Sequence, residues 1–440
     1  MRNINETHDP ALKSWVASAQ GSDFPIQNLP YAVFQRPATS SEAHIGVAIG
    51  DRILDLHAAV HHGLLSEQSP ALRAALQLST LNGLMSLGST QWSKLRRALS
   101  DLLREGSALG SNLELQSQIL LPMLDATFLM PADVRNYTDF YASVHHATRV
   151  GSLFRPDNPL FPNYKYVPIA YHGRASSVVV SGRQVLRPHG QCKSNENDPP
   201  EYRPSKSIDF ELELGTFIGM GNALGTTISI DRAEEHLFGF CLLNDWSARD
   251  IQKWEYQPLG PFLAKNFLTS ISPWVVTNEA LAPFRCAPAQ RDSQDPPLLP
   301  YLSGAQDQST GAFDVTLEVT ISSAKMREKQ LPPQRIVESN SKYLYWTPAQ
   351  CITHHASNGC NLLPGDLLGS GTISGPHPGA RGCLLELTEG GKVPLQLPSG
   401  ETRKFLEDGD EICLAARAVR QGAVSIGFGQ VLGEVVPASR

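Results

Sequence analysis

Between Ser207 and Leu214 the chain alternates strictly: Ile208, Phe210, Leu212 and Leu214 are apolar, and Asp209, Glu211 and Glu213 lie between them. That is the period of a strand. Every second side chain of a strand shares a face, so the three acids line up, each about 6.6–7 Å along from the last. Other runs read as strands at Tyr31–Phe34, Ile45–Leu56, Val315–Ser322, Cys383–Leu387, Glu411–Ala416 and Val424–Val435. The Gly50-Asp51-Arg52 step inside the second predicts a hairpin. From Glu67 to Gly110 the spacing turns helical, with Trp92, Leu95, Leu99, Leu102 and Leu103 forming an apolar stripe. A second helix is predicted from Trp246 to Tyr256 with Asp245 as its N-cap; at about 100° per residue, Asp245, Arg249, Gln252 and Tyr256 share one stripe. Trp246, Ile251 and Trp254 point elsewhere and can pack, and Pro258 and Pro261 end the helix. Residues up to about Gln20 read as a polar leader without pattern. The passage Pro122–Pro131 reads as a linker. It separates a first domain, 1–131, with a barrel-like β element and helices, from a second, 132–440, rich in strands, Gly and Pro. The expected class is β-rich α+β.

At 440 residues, 41% hydrophobic and 18% charged, the chain is long enough for two cores. A formal charge of -6 with no basic run excludes nucleic acid as the main partner. The seven cysteines contain no CxxC pair and read as reduced thiols in a cytosol. The first residues lack an apolar signal region, and nothing approaches the roughly 18 uninterrupted apolar residues of a membrane span. A soluble, cytoplasmic protein with no membrane partner is expected.

Three like charges on one strand face repel, and a cation would offset that; the bland alternative is a solvated outer face. Glu211 and Glu213, with Asp245 and one further acid, would offer only oxygen ligands and select Mg²⁺ or Ca²⁺ over zinc. The further acid is Asp139 in NYTDFYASVHHATRVG, which also carries Tyr141, His145 and His146, with Arg155 after it. Were that segment helical, Asp139 and His146 would lie two turns apart on one face. A histidine beside a metal-bound substrate suits proton abstraction from water near neutral pH. It needs a carboxylate on its other nitrogen, and Glu386 in CLLELTEG, otherwise a strand-edge surface residue, can serve. Neither glycine-rich passage supports a nucleotide: GSGTISG at Gly369–Gly375 lacks the Lys-Ser/Thr ending of a phosphate loop, and GFGQVLG at Gly427–Gly433 has the wrong spacing for a dinucleotide. No nucleotide or organic cofactor is therefore expected. Thr372 could present a hydroxyl to a ligand, as could Tyr171 in AYHGRASS.

Together YTDFY, HHAT, YHGRASS, ELE, LNDWSARDIQ, SGTISG and GFGQ closely resemble the fumarylacetoacetate hydrolase family, from about Ser22 to the end of the chain. The resemblance implies a small N-terminal SH3-like barrel followed by a mixed β-roll, in a homodimer. It implies hydrolysis of the carbon–carbon bond of 4-fumarylacetoacetate, a diketo acid, to fumarate and acetoacetate. Metal would be held by Asp139, Glu211, Glu213 and Asp245, with Lys265 and Thr269 at a second, magnesium-type contact. His146 would be the general base, oriented by Glu386, and Arg249, Gln252 and Lys265 would stabilise the oxyanion. Tyr141, Arg155, Tyr171, Arg249, Gln252, Tyr256, Lys265 and Thr372 would hold the substrate. One departure stands out: Leu268 occupies a position where the family carries glycine, losing backbone freedom beside Thr269. Related folds hydrolyse acylpyruvates, decarboxylate oxaloacetate or isomerise diacids, and a scaffold without catalysis is the alternative from another class.

Overall fold

The computed structural model describes residues 4–36, 40–195 and 197–439. Positions 1–3 of the polar leader and 37–39, between the first two strand-like runs, lie outside them. An antiparallel five-stranded sheet forms first, in the order Leu120–Pro122, Arg52–Asp55, Ser40–Ile49, Tyr31–Arg36, Thr127–Leu129. The hairpin at Gly50-Asp51 is present, with Ile49 paired to Arg52. The Pro122–Pro131 passage is more than a linker, because its segment Thr127–Leu129 forms one edge strand of this sheet and Pro122 ends the other, Leu120–Pro122. The leader also has structure: Thr7 and His8 are buried, and His8 Nε2 lies 2.8 Å from the Glu279 carbonyl. The helix Ser89–Leu103 buries Trp92, Leu95, Leu99 and Leu103, as its apolar stripe requires.

A mixed, curled eight-stranded sheet occupies the centre. Its order is Ala170–Gly173, Tyr137–Phe140, Leu367–Gly369, Leu212–Ile218, Leu237–Asp245, Thr269–Ile271 and Val178–Val180, with Val276–Thr277 also on Leu237–Asp245. Two pairs are parallel, Leu367–Gly369 with Tyr137–Phe140 and Thr269–Ile271 with Val178–Val180. Both faces are covered. Phe238, Cys241 and Leu243 join the core of the N-terminal block, whereas Phe240 and Leu242 join the core shared with Val315–Ser322 and Glu411–Ala418. Strands buried on both faces read as continuous apolar runs, and Leu237–Asp245 is buried throughout.

Three expected elements differ. The alternating run Ser207–Leu214 is not one strand: Ile208–Asp209 and Leu212–Ile218 belong to different sheets, with Phe210 and Glu211 between them. Asp245 is not an N-cap; it ends the strand Leu237–Asp245, and the helix begins only at Arg249. Ser247–Ala248 intervenes, paired to Ile208–Asp209, so ladder bonds hold the backbone extended where helix propensity alone favoured a start. Cys383–Leu387 was expected as a strand, yet Leu384–Leu387 is a helical turn. Four apolar-flanked residues fit either period, and tertiary contacts decide. Likewise Asp139 lies on a strand and His146 on the helix Val144–Phe154, so the two do not share a helix face.

Candidate active site

Register brings the acids together. Glu213 pairs with Leu243 and Gly369 with Asp139, while Gly215 pairs with Gly369, so the strand Leu367–Gly369 stands between the strands of Asp139 and Glu213. Because strand side chains alternate, Glu213 and Asp245 share a face. One oxygen from each of Asp139, Glu211, Glu213 and Asp245 falls within 4.8 Å of the others, a potential metal site. Gly369 opens the space between two of them: a Cβ there would stand 2.6 Å from Asp139 Oδ1 and 3.0 Å from Glu213 Oε2. Asp209 is not in the cluster, since its carboxylate turns toward Arg249.

All four acids are at most 5% exposed. Two cations answer them. Lys265 Nζ lies 2.6 Å from Glu211 Oε2 and 2.7 Å from Asp245 Oδ2, and Arg249 Nη2 lies 2.8 Å from Glu211 Oε1. That last N–H is not aimed at the carboxylate, so the Nη2 donor keeps unused capacity. Thr269 Oγ1 donates to Asp245 Oδ1 at 3.0 Å and Tyr171 donates to Oδ2 at 3.0 Å. Burial would raise the Glu211 carboxyl, but Lys265 and Arg249 pull it down to about 2. Asp139 and Glu213 fare differently. Burial, then neighbouring carboxylates, pushes both well above the usual range, and Asp139 Oδ1 and Glu213 Oε1 have no hydrogen-bond partner. Buried carboxylates in this position take a proton or a cation. The orphaned oxygens and the all-oxygen donor set fit a hard divalent ion. As an ammonium, Lys265 has no lone pair for a metal; the Thr269 hydroxyl, which gives its proton to Asp245 Oδ1, keeps lone pairs that a second ion can use.

Across from the acids sits a buried pair. His146 Nδ1 lies 2.6 Å from Glu386 Oε1. Ser374 Oγ donates to the same oxygen at 2.6 Å, and Arg149 Nη1 donates to Oε2 at 3.2 Å. Burial opposes the charge on Glu386, but the imidazole and these donors hold its carboxyl down at about 2. The Tyr141 ring meets the His146 ring edge-on, centroids 5.3 Å apart. Thr372 is buried with its hydroxyl unpartnered. Gln252 Oε1 accepts from Arg249 Nη1, and Tyr256 follows, half-buried, at the end of that helix. Arg155 stands on a separate loop, stacked over Phe161 with its Nη2 donating to the Pro159 carbonyl.

Arg149 and Ser374 had no role in the sequence reading, and Asp209 had none beyond its place among the three aligned acids. Arg149 had a signal, lying three residues after His146 on one helix; Ser374 sits within the SGTISG motif already singled out. Size is no guide to this site. Cavities of about 480 and 990 Å³ lie around the helix Ser89–Leu103 and contain none of these residues. All seven cysteines are free thiols, and among the described residues no helix is long and apolar enough to cross a membrane.

The chain matches known proteins over both of its halves. Residues 27–131 match the family model "Fumarylacetoacetase N-terminal", and residues 135–436 match "Fumarylacetoacetate (FAA) hydrolase C-terminal". The chain is 48% identical to the fumarylacetoacetase of Bos taurus over 427 residues, 97% of this chain and 99% of that one. It is 47% identical to that of Homo sapiens over the same shares. Among solved structures, the fumarylacetoacetate hydrolase of Exiguobacterium antarcticum superposes with a TM-score of 0.50 at 16% identity, covering 93% of this chain and 99% of that one, a likeness of fold. By both halves of its sequence, this chain belongs to the fumarylacetoacetate hydrolase family.

Proposed function

We propose that this protein hydrolyses the carbon–carbon bond of 4-fumarylacetoacetate, giving fumarate and acetoacetate. The observation that carries the reading is a four-carboxylate cluster with two orphaned oxygens beside a buried His146–Glu386 pair, in a chain similar along 97% of its length to enzymes named for this reaction. Asp139, Glu211, Glu213 and Asp245 would hold Mg²⁺ or Ca²⁺, which when bound supplies Lewis-acid polarisation of the diketone oxygens.

The remaining chemistry belongs to the chain. His146 has Nδ1 committed to Glu386, so Nε2 takes the proton from the attacking water. Glu386, ionised and fixed by Ser374 and Arg149, holds the ring and stabilises the imidazolium. Arg249, Gln252 and Lys265 donate to the tetrahedral oxyanion, where one donor is typically worth about 3 kcal/mol; the unaimed Nη2 of Arg249 supports this role. Tyr141, Arg155, Tyr171, Tyr256 and Thr372 hold the ends of the substrate. The His146 proton at Nε2 then passes to the departing carbon.

The division into 1–131 and 132–440 belongs to the same proposal, supported by family matches that end at 131 and resume at 135. So does a homodimer, supported by apolar surface just past Tyr256: Leu259 is 96% exposed and Phe262 66%. Ultraviolet assays of kcat/KM on fumarylacetoacetate and acetylpyruvate test the substrate. The expected preference for the former is about 10²-fold or more; the reverse preference would make this an acylpyruvate hydrolase.

A further inference from the structure

Asp209 is the first acid of the alternating run, and it takes no place among the clustered carboxylates, lying on the separate strand Ile208–Asp209. It is fully buried. Its Oδ1 accepts the Leu384 N–H at 2.7 Å, and its Oδ2 accepts the Leu385 N–H at 2.9 Å and the Arg249 Nε–H at 2.9 Å. Leu384 and Leu385 open the short helix that carries Glu386, and that helix has no cap of its own, because the Cys383 side chain bonds the Glu386 carboxylate and none of the first backbone N–H groups. Four residues are too few to sustain a helix without outside support, and its first N–H groups need acceptors. Asp209 supplies them from a distant strand. With its other contact it fixes the guanidinium that reaches Glu211 Oε1 at 2.8 Å and Gln252 Oε1 at 3.0 Å.

We propose that Asp209 is a positioning residue that locks the Glu386 turn and the Arg249 side chain into one rigid unit, so that proton abstraction and oxyanion stabilisation act on the same carbonyl. The inference rests on the reading that Glu386 and Arg249 serve the hydrolysis. Its physical core is the acceptor count. Three donors converge on two oxygens, and every one belongs to an element bearing a reactive group. An amide in place of the carboxylate keeps the shape but turns an N–H toward a donor, whichever way it flips. The turn or the guanidinium must then move, and a displacement of about 1 Å near reacting atoms costs about 10²-fold in rate.

The test compares Asp209→Asn, Glu386→Gln and the double variant in kcat and KM on fumarylacetoacetate, with melting temperature as the check of folding. Asp209→Asn is expected to lower kcat about 10²-fold with KM changed less. The double variant should fall short of the product of the single losses by tenfold or more, because both changes disable one unit. A merely structural role would give losses that multiply, and that result overturns the proposal. So does Asp209→Asn with kcat within threefold of wild type while Glu386→Gln is impaired. Undiminished activity in Glu386→Gln would instead remove the reading of the dyad, and this inference with it. Should Asp209→Asn fail to fold, Asp209→Ser, with room for a bridging water, replaces it in the same comparison.

Discussion

Nδ1 of His146 stands 2.6 Å from Oε1 of Glu386, although 240 residues separate the two in the chain. Ion-pair geometry this close inside a protein orients the imidazole and leaves its other nitrogen for the substrate side. His146→Ala should therefore lower kcat about 10³-fold, the scale of a lost general base, while calorimetric titration with Mg²⁺ or Ca²⁺ stays within a few-fold of wild type. Substantial remaining activity would take His146 out of the base role.

Gly369 lies between two acids of the cluster, and a methyl group there would press on Asp139 Oδ1 at 2.6 Å. Gly369→Ala should weaken divalent-ion affinity about 10–100-fold, the usual range for displaced metal surroundings. Titration of the folded variant with Mn²⁺ as a paramagnetic probe checks this. Unchanged affinity would place the ion elsewhere.

Burial, and then the neighbouring carboxylates, pushes the Asp139 and Glu213 carboxyls well above their usual range, which favours the protonated form when no cation is bound. A metal must displace those protons. Adding Mg²⁺ or Ca²⁺ to chelator-treated protein in weak buffer near pH 6.5 should acidify the solution, as a pH indicator would read. Binding without proton release would mean that the acids are already ionised.

Asp307 is a separate case, distant from the chemistry. It is buried, and burial raises its carboxyl from 3.8 to about 6 despite the hydrogen bond from Thr347. The folded chain thus holds this proton more tightly than the unfolded one. The stability it adds is complete below about pH 3.8 and is lost as pH rises to about 6, a change on the order of 2–3 kcal/mol. Asp307→Asn keeps an acceptor for Thr347 and removes the charge, so its melting temperature should exceed that of wild type at pH 8. The advantage should vanish toward pH 4, and an equal difference at both pH values would contradict the assignment.

Much of the site was legible because strand alternation is local. The period of two residues put Glu211 and Glu213 on one side, and both reach the cluster although Glu211 stands just before the strand Leu212–Ile218; the motif around Asp245 carried Arg249 and Gln252 with it. What failed needed partners far away in sequence. Asp245 resembled an N-cap because the pairing of Ser247–Ala248 with Ile208–Asp209, which holds the backbone extended, is a contact across almost forty residues. The Glu386 turn resembled a strand because LLEL carries no cap, and its cap is Asp209. Asp209 follows the same alternation as Glu211 in the sequence, yet the strand breaks after it and Ile208–Asp209 pairs in another sheet. Nothing within the run signals that break.

The central claim is that four converging acids and one buried imidazole form a single catalytic apparatus that depends on a divalent ion. Its most direct test follows fumarylacetoacetate in the ultraviolet with the protein as isolated, after chelator, and after Mg²⁺ or Ca²⁺ is restored. Turnover should disappear with the chelator and return with the ion. A chelator-treated protein, verified metal-free, that consumes the substrate at an undiminished rate would contradict the account.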